Sequence, residues 1–442
     1  MRTLILVSAL AFGLVLTASL GAQDRETKVR NDRKNVEEEG RWIYNDLPKG
    51  IAEAKKTGKP LLVIFRCIPC EACAQLDSQV VAKDSTVQKL LDEFVRVRVV
   101  HANGMDLSLF QFDYDQSMAA FFLNADQTIY GRFGTRSDQT ESDADVSVEG
   151  FGAALEGALA LHNGYPANKA LFAAKRGPTV AIKVPEEFPS LKGKFTSKLD
   201  YKAKNVVQSC IHCHQVGEAI RLVSRQPGKP MAEEVLYPYP HPKILGLIMD
   251  PKERARVQEV TAGSSAEKDG FQPGDDILSL AGQPLLSMGD IQWVLHNAGK
   301  TEKLPAEVLR GAKKFKLPLT LAAGWREKGD ISWRATSWDL RRMTTGGLLL
   351  DSLTADERKS AKLEENVLAL RIKHAGEYGD HAAAKNAGFR KGDILVELDG
   401  SAAPLTESEL MVAMMNGKRP GDKVPAVVLR EGKRMELKLP IQ

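Results

Sequence analysis

Five cysteines in 442 residues are too few for a scaffold held together by disulfides. A formal net charge of +4 is slight for this length and argues against a dedicated nucleic-acid binder. After the first two dozen residues, no apolar run is long enough to span a bilayer. The sequence has no zinc-finger spacing, no phosphate-binding loop, no kinase loop and no H-E-x-x-H helix. Gly263-Ser264-Ser265 sits in a turn and lacks the G-x-S-x-G frame of a serine hydrolase, so a protease is not expected. What remains is 43% hydrophobic and 27% charged, an ordinary globular composition with length for about three domains.

The scarce cysteines are grouped. Cys210-Ile211-His212-Cys213-His214 reads C-x-x-C-H, the pattern of covalent c-type haem attachment. Two thiols at this spacing suit thioether bonds to the two vinyl groups of one porphyrin, and His214 suits the proximal iron site. A surface disulfide, a redox dithiol or half of a zinc site also accommodates the pattern, although no second Cys or His pair follows at finger spacing. Met231, His241 and Met249 are candidates for the sixth ligand, and Met231, after a Pro-Gly-Lys-Pro turn, ranks first.

The N-terminus has the three parts of a secretory signal: Met1-Arg2, an apolar stretch over residues 4–16, and small residues up to Ala22. Residues 1–22 are expected to be removed, leaving a periplasmic or otherwise exported protein with no membrane span, in a compartment that permits disulfides. Residues 23–40 are almost wholly charged or polar and read as a solvated linker.

A globular pattern starts at residue 41. Trp42, Ile43, Leu47, Ile51 and Ala54 recur at helical spacing, and residues 61–65 (LLVIF) form a buried strand. Cys67, Cys70 and Cys73 follow at C-x-x-C-x-x-C. A helix over 87–94, a strand over 95–100, a hairpin over 121–131 and a helix over 148–162 complete the unit. Residues 41–163 resemble the thioredoxin fold, and the "KPLLVIF" strand before a C-x-x-C resembles exported thioredoxin-like proteins. The resemblance implies that Cys70 attacks and Cys73 resolves in thiol–disulfide exchange. A thiol on the first turn of a helix is acidified by the helix dipole, which suits that role. Pro69-Cys70-Glu71-Ala72-Cys73 departs from the family's Trp-Cys-Gly-Pro-Cys, and Met118 stands where the family has its cis-proline. Cys67 adds a third thiol, so a structural disulfide or a soft-metal site remains open beside redox chemistry.

Residues 164–235 form a proline-interrupted connector whose first part, up to Asn205, carries nine Lys or Arg against three acidic residues. It is expected to be solvated up to a helix over 201–225 that bears the haem motif. The C-terminal half of the chain contains a repeat. Gly246-Leu247-Ile248-Met249-Asp250 returns as Gly347-Leu348-Leu349-Leu350-Asp351, and residues 266–275 (AEKDGFQPGD) return as 384–393 (AKNAGFRKGD). Each "GFxxGDxIL" precedes a helix, over 288–297 and 407–416. The two copies, 236–325 and 333–442, resemble PDZ domains of bacterial envelope proteases. That resemblance implies capture of protein C-termini or extended peptides as an added strand. The carboxylate would meet backbone N–H groups at Leu245, Gly246, Leu247 and Ile248, and at Gly347, Leu348, Leu349 and Leu350.

The expected architecture is therefore multidomain α/β and α+β: a thioredoxin-like fold, a short helical haem-c-type segment and two PDZ-like β-barrel domains. The expected function is an exported redox protein carrying haem c, with peptide or envelope-protein partners at its PDZ copies and a possible redox partner. The alternative is a non-catalytic scaffold in which Cys210 and Cys213 form a disulfide.

Overall fold

The computed structural model describes residues 25–68, 85–116, 118–138, 144–226 and 229–442. The expected signal segment, Cys70 and Cys73 lie outside the described residues. The chain divides into two compact units. One joins the residues up to Val216 with Tyr239–Ala323, and the other joins Gly217–Pro238 with Gly324–Gln442.

The first unit is built on a five-stranded sheet of β1 (Ile43–Tyr44), β2 (Leu61–Arg66), β3 (Val95–Val99), β4 (Met118–Leu123) and β5 (Ile129–Phe133), in the order β1-β3-β2-β4-β5. β3 runs parallel to β1 and β2, whereas β4 is antiparallel to β2 and β5. All six residues of β2 are buried, as its unbroken apolar run requires of a central strand covered on both faces. Leu62, Ile64, Ala120 and Phe122 share a core with Leu91, Phe151 and Leu155. Phe65 of β2 and Phe121 of β4 meet Phe110 and Phe112 of the β3–β4 connection in edge-to-face and tilted contacts. Gly50 lets the helix Leu47–Thr57 close onto β3, because a Cβ there would lie 2.3 Å from Val97 Cγ2.

Two expectations for polar segments are corrected. Residues 25–39 form a helix, not a solvated linker. Val29 and Val36 are buried, and some of its charged residues face the domain too: Asp32 pairs with the buried Arg98 of β3 at 2.7 Å. The connector after residue 164 is also packed. Phe172 joins the core of the sheet, and Phe188 and Leu191 are buried. Scattered apolar residues in a basic, proline-rich stretch have no period, so their burial carries no sequence signal.

The first repeat belongs to this same unit. β6 (Leu247–Met249) pairs with β7 (Val257–Val260), and β8 (Asp276–Leu280), β9 (Gln283–Pro284), β10 (Glu302–Arg310) and β11 (Lys313–Leu321) form a second sheet. Its helix, Met288–Asn297, is buried from Met288 to Leu295. Trp293 donates to the Ala174 carbonyl, and the Arg132 guanidinium lies 3.8 Å from the Trp293 ring centroid. Lys175 and Asp290 form an ion pair at 2.7 Å with both side chains fully buried.

The second unit holds the second repeat as one five-stranded sheet: β12 (Leu348–Ser352), β13 (Leu370–Ala375), β14 (Ile394–Leu398), β15 (Lys423–Arg430) and β16 (Lys433–Pro440), in that order. The helices Ser337–Thr345 and Glu407–Gly417 complete it. In both repeats the Asp of the "GD" pair is buried under the Arg that ends the first strand of the last hairpin. Asp275 holds Arg310, and Asp393 holds Arg430. That pairing accounts for the "GD…VLR" spacing of the repeat.

Candidate functional site

Cys67 lies just past β2, where the central strand leaves the sheet. The C-x-x-C-H turn comes to the same place from 143 residues further along the chain. Cys67 Sγ is 3.2 Å from His212 Nδ1. Cys67 is also close enough to Cys210 and Cys213 to act on both thiols. The C-x-x-C-H turn is therefore docked on the sheet domain rather than held in a free connector.

Backbone hydrogen bonds fix it there. Ile211 donates its N–H to Asn103 Oδ1 at 2.8 Å, and its carbonyl accepts from Ala102 at 2.8 Å. Asn103 Nδ2 donates to the carbonyls of Ser209 and Thr196, at 2.8 and 2.7 Å. Glu26, from the N-terminal helix, accepts from the N–H groups of Val206 and Val207. These bonds compete with helix formation, and the observed helix is shorter than expected. It starts at Cys213 and ends at Ser224, while Cys210 is extended at φ −88°, ψ 125°. Gln215 caps this start by accepting from the His212 N–H at 2.8 Å.

The electrostatics follow from burial. Cys210 is buried, with Sγ 3.9 Å from the Val100 carbonyl oxygen. Burial first, then Cys67 and Cys213, push its thiol far above the ordinary range. Burial and Cys67 push the Cys213 thiol up to about 12. Burial holds His212 down to about 4 and lowers His214, against the opposing pull of Asp115. Both imidazoles are neutral at pH 7, and their rings stack in parallel with centroids 5.5 Å apart.

The residues present fit a covalently held haem in their chemistry. Two thiols flank a helix start, and the neutral His214 ring makes no hydrogen bond among the described residues. The buried Cys210 is the member least open to a bulky partner. Among the described residues no group of three or more His, Cys, Asp and Glu is placed to hold a bare metal ion.

Of the other candidates, Met231 is packed with Leu236, Tyr237, Leu340 and Met411 in the second unit. Met249 is buried in β6. His241 caps the turn Pro242–Leu245 by accepting from the Lys243 N–H at 3.2 Å. Asn103, Glu26 and the Cys67–His212 contact were not singled out from the sequence. Each joins segments about a hundred or more residues apart, which no local spacing reveals.

His101, beside this anchor, has a buried Nδ1 without a partner, and burial holds the ring down to about 4. The unfolded chain takes its proton nearer pH 6.5. Stability from this residue is thus full above about 6.5 and falls as pH drops towards 4, by up to roughly 3 kcal/mol. Urea unfolding at pH 7 and pH 4.5 should show a loss in the wild type that is about 2–3 kcal/mol larger than in His101→Leu. Equal losses in the two proteins refute the assignment.

The family comparisons agree with this architecture. A thioredoxin-like family model matches residues 42–125, and a PDZ domain model matches 233–321 and 379–441. The chain carries a thioredoxin-like domain and two PDZ domains. Its curated relatives include a "Probable periplasmic serine endoprotease DegP-like" of Pseudomonas savastanoi pv. phaseolicola, 29% identical over 42% of this chain and 37% of the relative. A protein of the same description from Pseudomonas putida is 30% identical over 36% of this chain and 33% of the relative. The chain therefore spans about a third of the length of these relatives. A solved structure of the HtrA-type protease AlgW with tripeptide matches 30% of this chain and 42% of its own, at 20% identity and a TM-score of 0.19. At that score the likeness carries no argument.

Proposed function

We propose that this is an exported redox protein. In this reading haem c is bound through Cys210 and Cys213 with His214 on the iron, and the PDZ copies bind peptides or the C-termini of envelope proteins. One observation carries the reading: the C-x-x-C-H turn is seated beside Cys67 at the end of the central strand, pinned by Asn103. A bound haem would supply one-electron exchange. The protein's part is to hold His214 neutral, to hold Cys213 protonated until it is alkylated, and to keep the turn rigid. The periplasmic relatives and the N-terminal signal pattern support export. Their endoprotease activity is not carried over, since the match covers a third of their length and no G-x-S-x-G accompanies it. The test is the visible spectrum of protein exported from cells that attach haem c. A Soret band and a c-type pyridine haemochrome are expected, and both should be lost in His214→Ala with Cys213→Ser. A colourless wild type overturns the reading.

The burial of Cys210 favours a second reading, a thiol site without haem. Cys210 and Cys213, or either of them with Cys67, would form a disulfide, with the electrons passing to an exported disulfide donor. Cys70 and Cys73 would then carry any exchange with substrates. Non-reducing peptide mapping that finds one of these disulfides supports this reading, and free thiols at Cys67, Cys210 and Cys213 remove it, while insulin reduction lost in Cys70→Ser marks redox exchange and an inactive wild type favours the non-catalytic scaffold.

A further inference from the structure

In the second repeat, β12 is the outermost strand, with β13 as its only neighbour in the sheet. A peptide added there needs the N–H groups on its open edge. One of them is already used. Leu350 donates its N–H to Glu407 Oε1 at 2.7 Å. Glu407 opens the helix Glu407–Gly417, behind the capping box of Thr406 and Glu409. Its carboxylate is held in a fork by Arg341, at 2.9 Å from Nε to Oε1 and 2.6 Å from Nη2 to Oε2. Arg341 also donates to the Ser332 carbonyl at 2.6 Å, and its guanidinium lies 5.0 Å from the Trp338 ring centroid. Glu407 is 5% exposed and Arg341 2%.

The first repeat supplies an internal comparison. Met249 matches Leu350, and both strands carry a bulge at this point. The helix caps Ser287 and Thr406 correspond, so Met288 stands where the second repeat has Glu407. A thioether is a poor acceptor, and among the described residues no side chain accepts from the Met249 N–H.

We propose that the second PDZ copy is closed by its own side chain. Glu407, held by Arg341, takes the Leu350 N–H that an incoming peptide carbonyl would need. Peptide binding at β12 therefore requires this pair to leave the edge. The inference rests on the reading of the PDZ copies as peptide binders, and two measurements separate its failure from the failure of that reading.

The first is hydrogen exchange on the full chain, resolved over residues 346–352. The Leu350 amide should be protected in the wild type and in Glu407→Gln, which keeps an acceptor oxygen. It should exchange about 10- to 100-fold faster in Glu407→Ala, as expected for loss of a bond to a charged group. Exchange of Leu350 at the same fast rate in wild type and Glu407→Ala overturns the proposal. If Glu407→Ala does not fold, the double variant Arg341→Met/Glu407→Leu removes both charges and serves in its place. The second uses a decapeptide ending in a free-carboxylate valine and bearing a benzophenone. Labelling of residues 348–350 only after the carboxylate is removed supports closure. Equal labelling there in the wild type overturns it. Labelling at neither repeat in any variant counts against the peptide-binding reading, and Leu350 exchange then decides closure alone.

Discussion

Asp290→Ala should cost the first unit about 3–5 kcal/mol, the scale for breaking a buried ion pair from one side. Asp290 is fully buried and is the carboxylate that Lys175 Nζ meets at 2.7 Å. It also accepts from the backbone N–H of Arg132 at 3.2 Å and of Leu286 at 2.9 Å. Arg132 is buried beside it and donates to the carbonyls of Gln111 and Lys175, at 3.1 and 2.8 Å. Two buried cations thus depend on one anion. Burial first, and then the Arg132 charge, lower the affinity of Lys175 for its proton, and Asp290 opposes both. With alanine, Lys175 sheds its proton or admits water, and two N–H groups lose their acceptor. Since β5 and the helix Met288–Asn297 meet here, the thioredoxin-like domain and the first PDZ copy should loosen together in urea. The pair Lys175→Met/Asp290→Leu, which removes both charges, should recover most of the loss. A change below about 1 kcal/mol in the single variant contradicts this account of the interface.

Asn103→Leu should detach the C-x-x-C-H turn. Asn103 is 5% exposed and satisfies three backbone groups: the Ile211 N–H and the carbonyls of Ser209 and Thr196. Each buried group left without a partner costs about 1–3 kcal/mol, so about 3–5 kcal/mol is expected after partial relaxation. The loss should be local. In protein made without haem attachment, Cys210, buried in the wild type, should become alkylatable at least about tenfold faster, and amides over 205–215 should exchange faster while β2 and β3 keep their protection. Asn103→Asp keeps one acceptor for Ile211 and should fall between. Unchanged alkylation of Cys210 in Asn103→Leu means that the turn is held by something else.

The sheet domain and the repeats were legible because their signals are local. The run LLVIF marked β2, and the doubled "GFxxGD" marked the two PDZ copies with their helices at the expected places. The site was legible only as separate motifs. Cys67 and His212 are 145 residues apart, and nothing in either neighbourhood announces their contact. The helix of residues 25–39 was missed for a different reason. Two buried valines among charged residues are too few to outweigh a polar composition, and the tertiary contacts of Glu26 and Asp32 decide the matter. The basic connector misled through Lys175, which counts as surface charge in a sequence and is fully buried here. Glu407 shows the same limit: a helix-start carboxylate reads as a dipole partner, and its bond to Leu350 appears only in three dimensions.

The central claim is that Cys210, Cys213 and His214 carry a covalent haem beside Cys67. The most direct measurement is the intact mass of the exported protein after denaturation, reduction and exhaustive alkylation. The account predicts the added mass of one haem, localised to the peptide containing residues 210–214, with Cys210 and Cys213 refractory to alkylation and Cys67 alkylated. Protein of unmodified mass, with all five cysteines alkylated after reduction, contradicts it.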